Sequence, residues 1–378
     1  VVKPSSSAAR IAGNTSWLLG GELLGRLLSF VAVLHLTRAL SAGALGAVEL
    51  GLAIFGFVVM VTLGGLDVLV TRRAARSERN LGRLVSIYWQ VGSLAYLVVL
   101  PPIVLLAFLS GKEAPAPYMM MAFAAAAIVG PLGPRFVFVG RERTWVMALA
   151  GVVAQLTWLV GIYSLIRDDS DVRLVPWLWM GAELVRQALL LWMFTRWFGG
   201  VQLRVGWRVV SAWARASIAP TVGRAARGVF FTGDLLLLGL IGRIDELGFY
   251  TVAMRLPLFL MGSADMAQRG IFPSVARLIA AGDRLATGRF QMASIKIVLA
   301  VLLAATCMLS AVAAPMVTTL FGPQWQGSVL LFQILLWRVP FSIVSGLYRN
   351  VIWAGAPGLE GRIGVISAGT MIASVLVG

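Results

Sequence analysis

The stretch that decides the fold runs from Ala219 to Arg277: APTVGRAARGVFFTGDLLLLGLIGRIDELGFYTVAMRLPLFLMGSADMAQRGIFPSVAR. It reads as two long apolar helices joined by a tight polar turn, Gly242-Arg243-Ile244-Asp245-Glu246. Charges stand inside the apolar runs, where a merely buried helix would carry none. Arg224, Arg227 and Asp234 fall at i, i+3 and i+10, within one stripe of the first helix. Arg255, Asp265 and Arg269 fall at i, i+10 and i+14, on one stripe of the second. The same pattern occurs between Asn14 and Arg79, so the chain reads as two copies of one unit. Two such copies are expected to face each other across a polar cavity within a membrane.

Composition sets the medium. Hydrophobic residues make up 59% of the 378-residue chain and charged residues 13%, with a mean hydropathy of +0.87. A soluble domain has about 25% charged residues, so the class is a polytopic membrane protein. At roughly 30 residues per span and connection, the length accommodates about ten to twelve spans and no large soluble domain. The net charge of +16 is nearly all arginine. Cytoplasmic loops obeying the positive-inside rule explain that excess, and nucleic acid is not an expected partner. The single cysteine, Cys307, supports neither a disulfide framework nor a thiolate metal site.

The spans fall at about 15–36, 45–70, 84–109, 118–139, 145–166 and 175–198, then 218–241, 249–271, 290–314, 329–354 and 363–378. The last run reaches the end of the sequence without a polar cap, and a further helix is expected beyond it. Alternate loops are basic: Arg72, Arg73, Arg76, Arg79 and Arg83; Arg141 and Arg143; Arg196, Arg204, Arg208 and Arg215; Arg277, Arg284 and Arg289; Arg362. That alternation places the N-terminus in the cytoplasm. Between the sixth and seventh spans, 201–216 segregates Arg204, Arg208, Ser211 and Arg215 from Val205, Val209, Val210 and Trp213, the pattern of an interfacial helix. The expected organisation is an N-lobe of six helices (1–200), this linker (201–216) and a C-lobe of helices seven to eleven (217–378). Leu45-Gly46 recurs as Leu247-Gly248, and Gly82-Arg83-Leu84 as Gly288-Arg289-Phe290. Repeated six-helix halves are a transporter architecture with the substrate at the repeat interface.

Catalysis has little to stand on. The one histidine, His35, is expected to pack near a span end. No Walker A sequence or metal-ligand spacing occurs, and no loop is long enough for an extramembrane catalytic domain. The chain therefore reads as no enzyme, with no cofactor and no metal. Charges within spans carry more, because each costs about 2.5–3.5 kcal/mol at the bilayer centre and faces a bundle interior or wet cavity. Glu22 and Arg26 stand i, i+4. Asp67 is within reach of Arg72, and Asp234 of Arg227 and Arg255. These three acids read as ion-coupling groups or as internal ion pairs. Arg338 and Arg349 have no acid in their own span. Arg135 and Lys296 are expected to snorkel, and Trp17, Trp145, Trp177, Trp197 and Trp325 to form an interfacial belt. Prolines within spans, Pro101, Pro102, Pro131, Pro134, Pro257 and Pro340, are expected to kink them. Guanidinium groups outnumbering acids along a cavity suit phosphate or carboxylate, because the planar fork binds oxyanions bidentately.

Asn14-Thr15-Ser16-Trp17-Leu18-Leu19-Gly20 with Leu40-Ser41-Ala42-Gly43-Ala44-Leu45-Gly46 resembles the first two helices of bacterial polysaccharide flippases. These are the O-antigen-type translocases of the multidrug/oligosaccharidyl-lipid/polysaccharide exporter (MOP) superfamily. Asp234-Leu235-Leu236-Leu237-Leu238-Gly239 with Leu247-Gly248-Phe249-Tyr250 resembles that family's seventh and eighth helices, and Pro315 to Trp325 its outer turn after the ninth. The resemblance implies two lobes working by alternating access in the bacterial inner membrane, for lipopolysaccharide-type surface polysaccharide. Its implied cargo is an undecaprenyl-pyrophosphate-linked oligosaccharide, and its implied neighbours are membrane lipids, the polysaccharide polymerase and glycosyltransferases. The charge argument nominates Arg26, Arg255, Arg224, Arg227 and Arg338 to hold the anionic headgroup. The alternative within the superfamily is a cation-coupled multidrug exporter using Glu22, Asp67 or Asp234. A membrane-embedded polymerase or ligase, and a scaffold recruiting biosynthetic enzymes, are weaker readings.

Overall fold

The structure is a computed structural model that describes the backbone of residues 4–77, 80–202, 205–280 and 284–355, and side chains from residue 20 onward apart from some positions between 226 and 284 and those from 349. Every regular element among the described residues is helical. In order these are α1 (Pro4–Ala39), α2 (Ala42–Arg76), α3 (Leu81–Leu109), α4 (Ala116–Ala126), α5 (Arg135–Gly140), α6 (Thr144–Leu165) and α7 (Val175–Phe198). There follow α8 (Trp207–Ile241), α9 (Ile244–Ala280), α10 (Arg284–Ala311), α11 (Ala313–Leu320), α12 (Ser328–Leu336) and α13 (Arg338–Gly355). The chain divides into two compact units, Val1–Ile244 and Asp245–Gly378.

In the first unit α2 is the axis, with α8, α4, α3 and α5 packed on it, while α6 packs on α1 and α7. Its core joins Leu63, Leu66 and Val70 of α2 to Leu84, Val85 and Tyr88 of α3, Phe136 and Phe138 of α5, and Leu190 and Phe194 of α7. The outside is apolar too. Leu97, Val98, Leu105 and Phe108 of α3 are 58–73% exposed. A row of that kind suits hydrocarbon as its solvent. Among the described residues six stretches are long and apolar enough to cross a membrane: Gly20–Ala39, Ala42–Arg76, Leu81–Leu109, Thr144–Leu165, Leu285–Ala311 and Ser328–Tyr348. The helices α7, α8 and α9 match their expected spans but carry charged residues in their apolar runs.

Three features refine the expectations from sequence. The fourth span is broken: α4 gives way to a 3-10 turn over Ala127–Leu132, and the chain restarts as α5 after Pro134. Pro131 and Pro134 lack the N–H that would continue the ladder. Residues 207–216, expected within a separate linking helix, are instead the first turns of α8, which runs through Pro220 without a break. Their faces do segregate, with Val210 buried and Arg208 and Arg215 exposed. Trp325, expected at the interface, is 1% exposed and packs edge-on against Phe249 at 5.6 Å between centroids.

The two Leu-Gly pairs hold the same register. Leu45-Gly46 and Leu247-Gly248 each occupy the fourth and fifth positions of their helices, and all four residues are buried. Ser41 caps α2 through its side chain, which accepts the Ala44 N–H, and its own N–H donates to Asp169 Oδ1 at 2.8 Å. In the second unit, Ser328 Oγ donates to the Phe249 carbonyl at 2.9 Å and ties α12 to α9.

Candidate functional site

Two polar assemblies within the first unit stand out, both built on α2. The first is the seam with α8. Gly64 and Gly65 remove side-chain bulk from α2, and α8 closes onto them so tightly that a Cβ on Gly65 would lie 2.2 Å from the Ser217 carbonyl oxygen. One turn further along, Gly228 of α8 makes the same allowance for Met60. The Gly65 N–H donates to Thr221 Oγ1 at 3.1 Å, and Arg224 Nη1 donates to the Gly64 carbonyl at 3.1 Å. Arg224 stands midway along a 35-residue helix. Its partner is a neutral carbonyl, and among the described residues no carboxylate reaches it.

The second assembly is a charge cluster at the edge of the bundle, its carboxylates largely buried and Arg135 exposed. Asp67 of α2 accepts the Tyr88 hydroxyl at 2.8 Å and faces Arg135 Nε of α5 at 3.7 Å. Nearby, Glu183 of α7 pairs with Arg186 one turn on and accepts Gln187 Nε2 at 3.4 Å. A cavity of about 90 Å³ is lined by Arg135, Glu183, Arg186 and Gln187, closed by Phe55, Val59 and Leu63. Gly133 lets the broken span approach α7, since a Cβ there would lie 2.0 Å from Gln187 Oε1. Glu183 is 5% exposed. Burying a carboxylate is costly, and the guanidinium and amide beside it offset that cost.

Sequence reasoning named some of these groups with different partners. Asp67 is expected beside Arg72, but its guanidinium comes from Arg135, because the helix interruption over residues 127–134 lets α5 pack on α2. Arg135 keeps its side chain 46% exposed while facing Asp67. Glu183, Arg186 and Gln187 were passed over, although an acid and a base at i, i+3 in an apolar run are the same signal that singled out Glu22 and Arg26. That α1 pair is present, Arg26 Nη2 to Glu22 Oε1 at 2.9 Å. His35 is a packed residue, with Nε2 2.8 Å from the Ile166 carbonyl and its ring stacked on Tyr163. Asp234 Oδ1 accepts the Leu235 N–H at 3.0 Å. In the second unit Arg255 and Arg338 are half-buried and engaged by neighbours. The side chains of Arg227, Asp265, Arg269 and Arg349 lie outside the described residues. Arg26 and Arg224 thus hold different partners, one a carboxylate on its own helix and the other the backbone of α2.

The profile of a family described as "Polysaccharide biosynthesis protein" matches residues 11–279. A relative from Escherichia coli (strain K12), the "Putative O-antigen transporter", is 21% identical over 269 residues, 68% of this chain and 62% of the relative. The chain therefore spans less than two thirds of that relative's length. Among solved structures, an inward-facing multidrug resistance MATE family transporter of the MOP superfamily aligns over 93% of this chain and 92% of its own, with a TM-score of 0.65 and 14% identity. A MOP superfamily transporter from Pyrococcus furiosus Vc1 (DSM3638) aligns over 96% and 93%, with a TM-score of 0.54 and 14% identity. At such identity these structures establish the fold alone, an all-helical polytopic one. With the profile matched over most of its length, this multi-pass membrane chain belongs to the polysaccharide biosynthesis protein family.

Proposed function

We propose that the protein moves a polyprenyl-pyrophosphate-linked oligosaccharide from the inner to the outer leaflet of the bacterial cytoplasmic membrane by alternating access. In this reading the N-terminus is cytoplasmic and the glycan is destined for the cell surface. The observation that carries the reading is Arg224, a guanidinium in the α2–α8 seam that is held by one neutral carbonyl. A cation kept inside a membrane protein without an acid is suited to a visiting anion. A phosphate oxygen makes a charge-assisted bond about twice as strong as a neutral one, so it displaces the Gly64 carbonyl from Arg224. Losing that bond loosens α2 from α8, and headgroup binding is thereby linked to a change in helix packing. Arg26, Arg227, Arg255 and Arg338 are the further groups proposed to receive the pyrophosphate and the sugars. The polymerase and glycosyltransferases of the same synthesis are the proposed neighbours.

The test is flipping of a fluorescent polyprenyl-pyrophosphate oligosaccharide in proteoliposomes. Arg224→Ala is expected to lose flipping while remaining folded, and Arg26→Ala and Arg255→Ala to weaken it. Full flipping by Arg224→Ala overturns the role given to that residue. The second reading, a cation-coupled multidrug exporter, is favoured by one observation, the buried carboxylate of Glu183. It predicts efflux of cationic drugs that stops in Glu183→Gln. The excess of arginine ranks it second, since a pocket for hydrophobic cations is acidic and aromatic.

A further inference from the structure

At the arginine-rich end of the first unit, a cleft of about 390 Å³ lies between α2 and α8. Leu69, Arg72, Arg73 and Arg76 line it from α2, and Ala212, Trp213 and Ala216 from α8. We propose that this cleft binds the phosphate headgroup of a lipid in the cytoplasmic leaflet, as the point of entry to the α2–α8 seam.

Three observations carry the proposal. First, the guanidinium groups of Arg72, Arg73 and Arg76 are exposed and make no ion pair or hydrogen bond among the described residues. Their planar forks are available for the oxygens of one phosphate. Second, their placement exceeds what topology requires. The positive-inside rule calls for arginine at this end of the helices, but it does not call for three of them around one cleft. Gly65, Leu69, Arg72 and Arg76 form one stripe along α2, so the charged mouth continues directly into the seam. Arg72 stands about 10 Å along the axis from Gly65, where Thr221 and Arg224 cross over. Third, the walls are apolar: Leu69, the two alanines and the Trp213 ring. On α8 just beyond the cleft, Ala219 and Val222 are exposed, and Val222 is 63% so. A cationic mouth over an apolar track fits an amphiphile with a phosphate head and a hydrocarbon tail better than a free phosphate.

Phosphate on a lipid comes from two sources here, the bilayer's own phosphatidylglycerol and the polyprenyl pyrophosphate of the transported substrate. Identifying the second as the occupant rests on the proposed function. Capture of a lipid phosphate does not. The experiment measures equilibrium binding of radiolabelled phosphatidylglycerol and, separately, undecaprenyl pyrophosphate to the full chain in nanodiscs of digalactosyldiacylglycerol, a bilayer lipid without phosphate. Arg72→Gln, Arg73→Gln and Arg76→Gln, made singly so that insertion keeps its neighbouring arginines, are each expected to weaken binding about 3- to 10-fold, and the triple variant about 100-fold. Arg83→Gln and Arg196→Gln, which remove exposed arginines outside the cleft, are expected to stay within about twofold. Weakening for both lipids identifies a general lipid-phosphate site, and weakening for undecaprenyl pyrophosphate alone identifies substrate entry; either upholds the proposal. Binding of both lipids unchanged in the cleft variants, or equal weakening by Arg83→Gln and Arg196→Gln, overturns it.

Discussion

Replacing Gly65 by alanine puts the α2–α8 seam to a quantitative test. The new Cβ would lie 2.2 Å from Ser217 O, 2.4 Å from Thr221 Oγ1 and 2.5 Å from Thr221 N. Two of these atoms are backbone and cannot rotate away, so the helices must part by about 1 Å to restore ordinary contact. That movement stretches both bonds across the seam, Gly65 N–H to Thr221 Oγ1 and Arg224 Nη1 to Gly64 O. A neutral bond contributes about 1 kcal/mol and a charged one about 1.5–3. Helix propensity does not enter, because α2 is helical whether the seam is closed or open. Complete loss of both bonds costs about 2.5–4 kcal/mol, which shifts a closed–open equilibrium of the seam by up to roughly 70- to 900-fold. Gly56→Ala is the matched control, because a Cβ at that position meets nothing within 4 Å. The assay is maleimide labelling of Met60→Cys, which faces Gly228 in the seam, with the exposed Cys307 replaced by serine. Labelling about tenfold or more faster in Gly65→Ala, and unchanged in Gly56→Ala, is the expected result. Equal labelling rates in the two variants refute the tight seam.

Other positions give sharp expectations. Gly133→Ala should push Gln187 from its place and cost about 1–2 kcal/mol, read as a lower thermal midpoint in detergent. Arg186→Leu leaves Glu183 buried without its cation and should destabilise by about 3 kcal/mol, whereas the double replacement Glu183→Leu with Arg186→Leu should recover most of that loss. In the loop before α7, bonds from the Ser170 hydroxyl and backbone N–H hold the Asp168 carboxyl below its ordinary 3.8. A depressed carboxylate contributes stability above the unfolded pKa, and the contribution disappears as pH falls through the folded value. The thermal midpoints of wild type and Asp168→Asn should therefore differ at neutral pH and converge below about pH 3.8.

Much of this was legible in the sequence because the membrane imposes one rule everywhere. Spans of about 20 apolar residues announce themselves, and so does an ion pair inside one helix, as with Glu22 and Arg26. Partners from distant segments do not. Asp67 meets Arg135 only because Pro131 and Pro134 interrupt a span, and periodicity carries no record of where the chain resumes. Trp325 looked interfacial by position, but its burial depends on Phe249, far away in the chain. The α2–α8 seam left a trace as Gly64-Gly65, yet glycines recur throughout these helices. Which pair receives a neighbour depends on packing. Arg224 was nominated from its charge, while its hold on the Gly64 carbonyl emerged only from the structure.

In the proposed function a guanidinium in the α2–α8 seam serves an anionic lipid cargo. Flipping of a fluorescent polyprenyl-pyrophosphate oligosaccharide in proteoliposomes tests it most directly, comparing wild type, Arg224→Ala and Gly56→Ala. Flipping by wild type and Gly56→Ala, and its loss in a folded Arg224→Ala, is the expected result. Wild-type protein that leaves the lipid in its original leaflet, or Arg224→Ala that flips it at the wild-type rate, contradicts it.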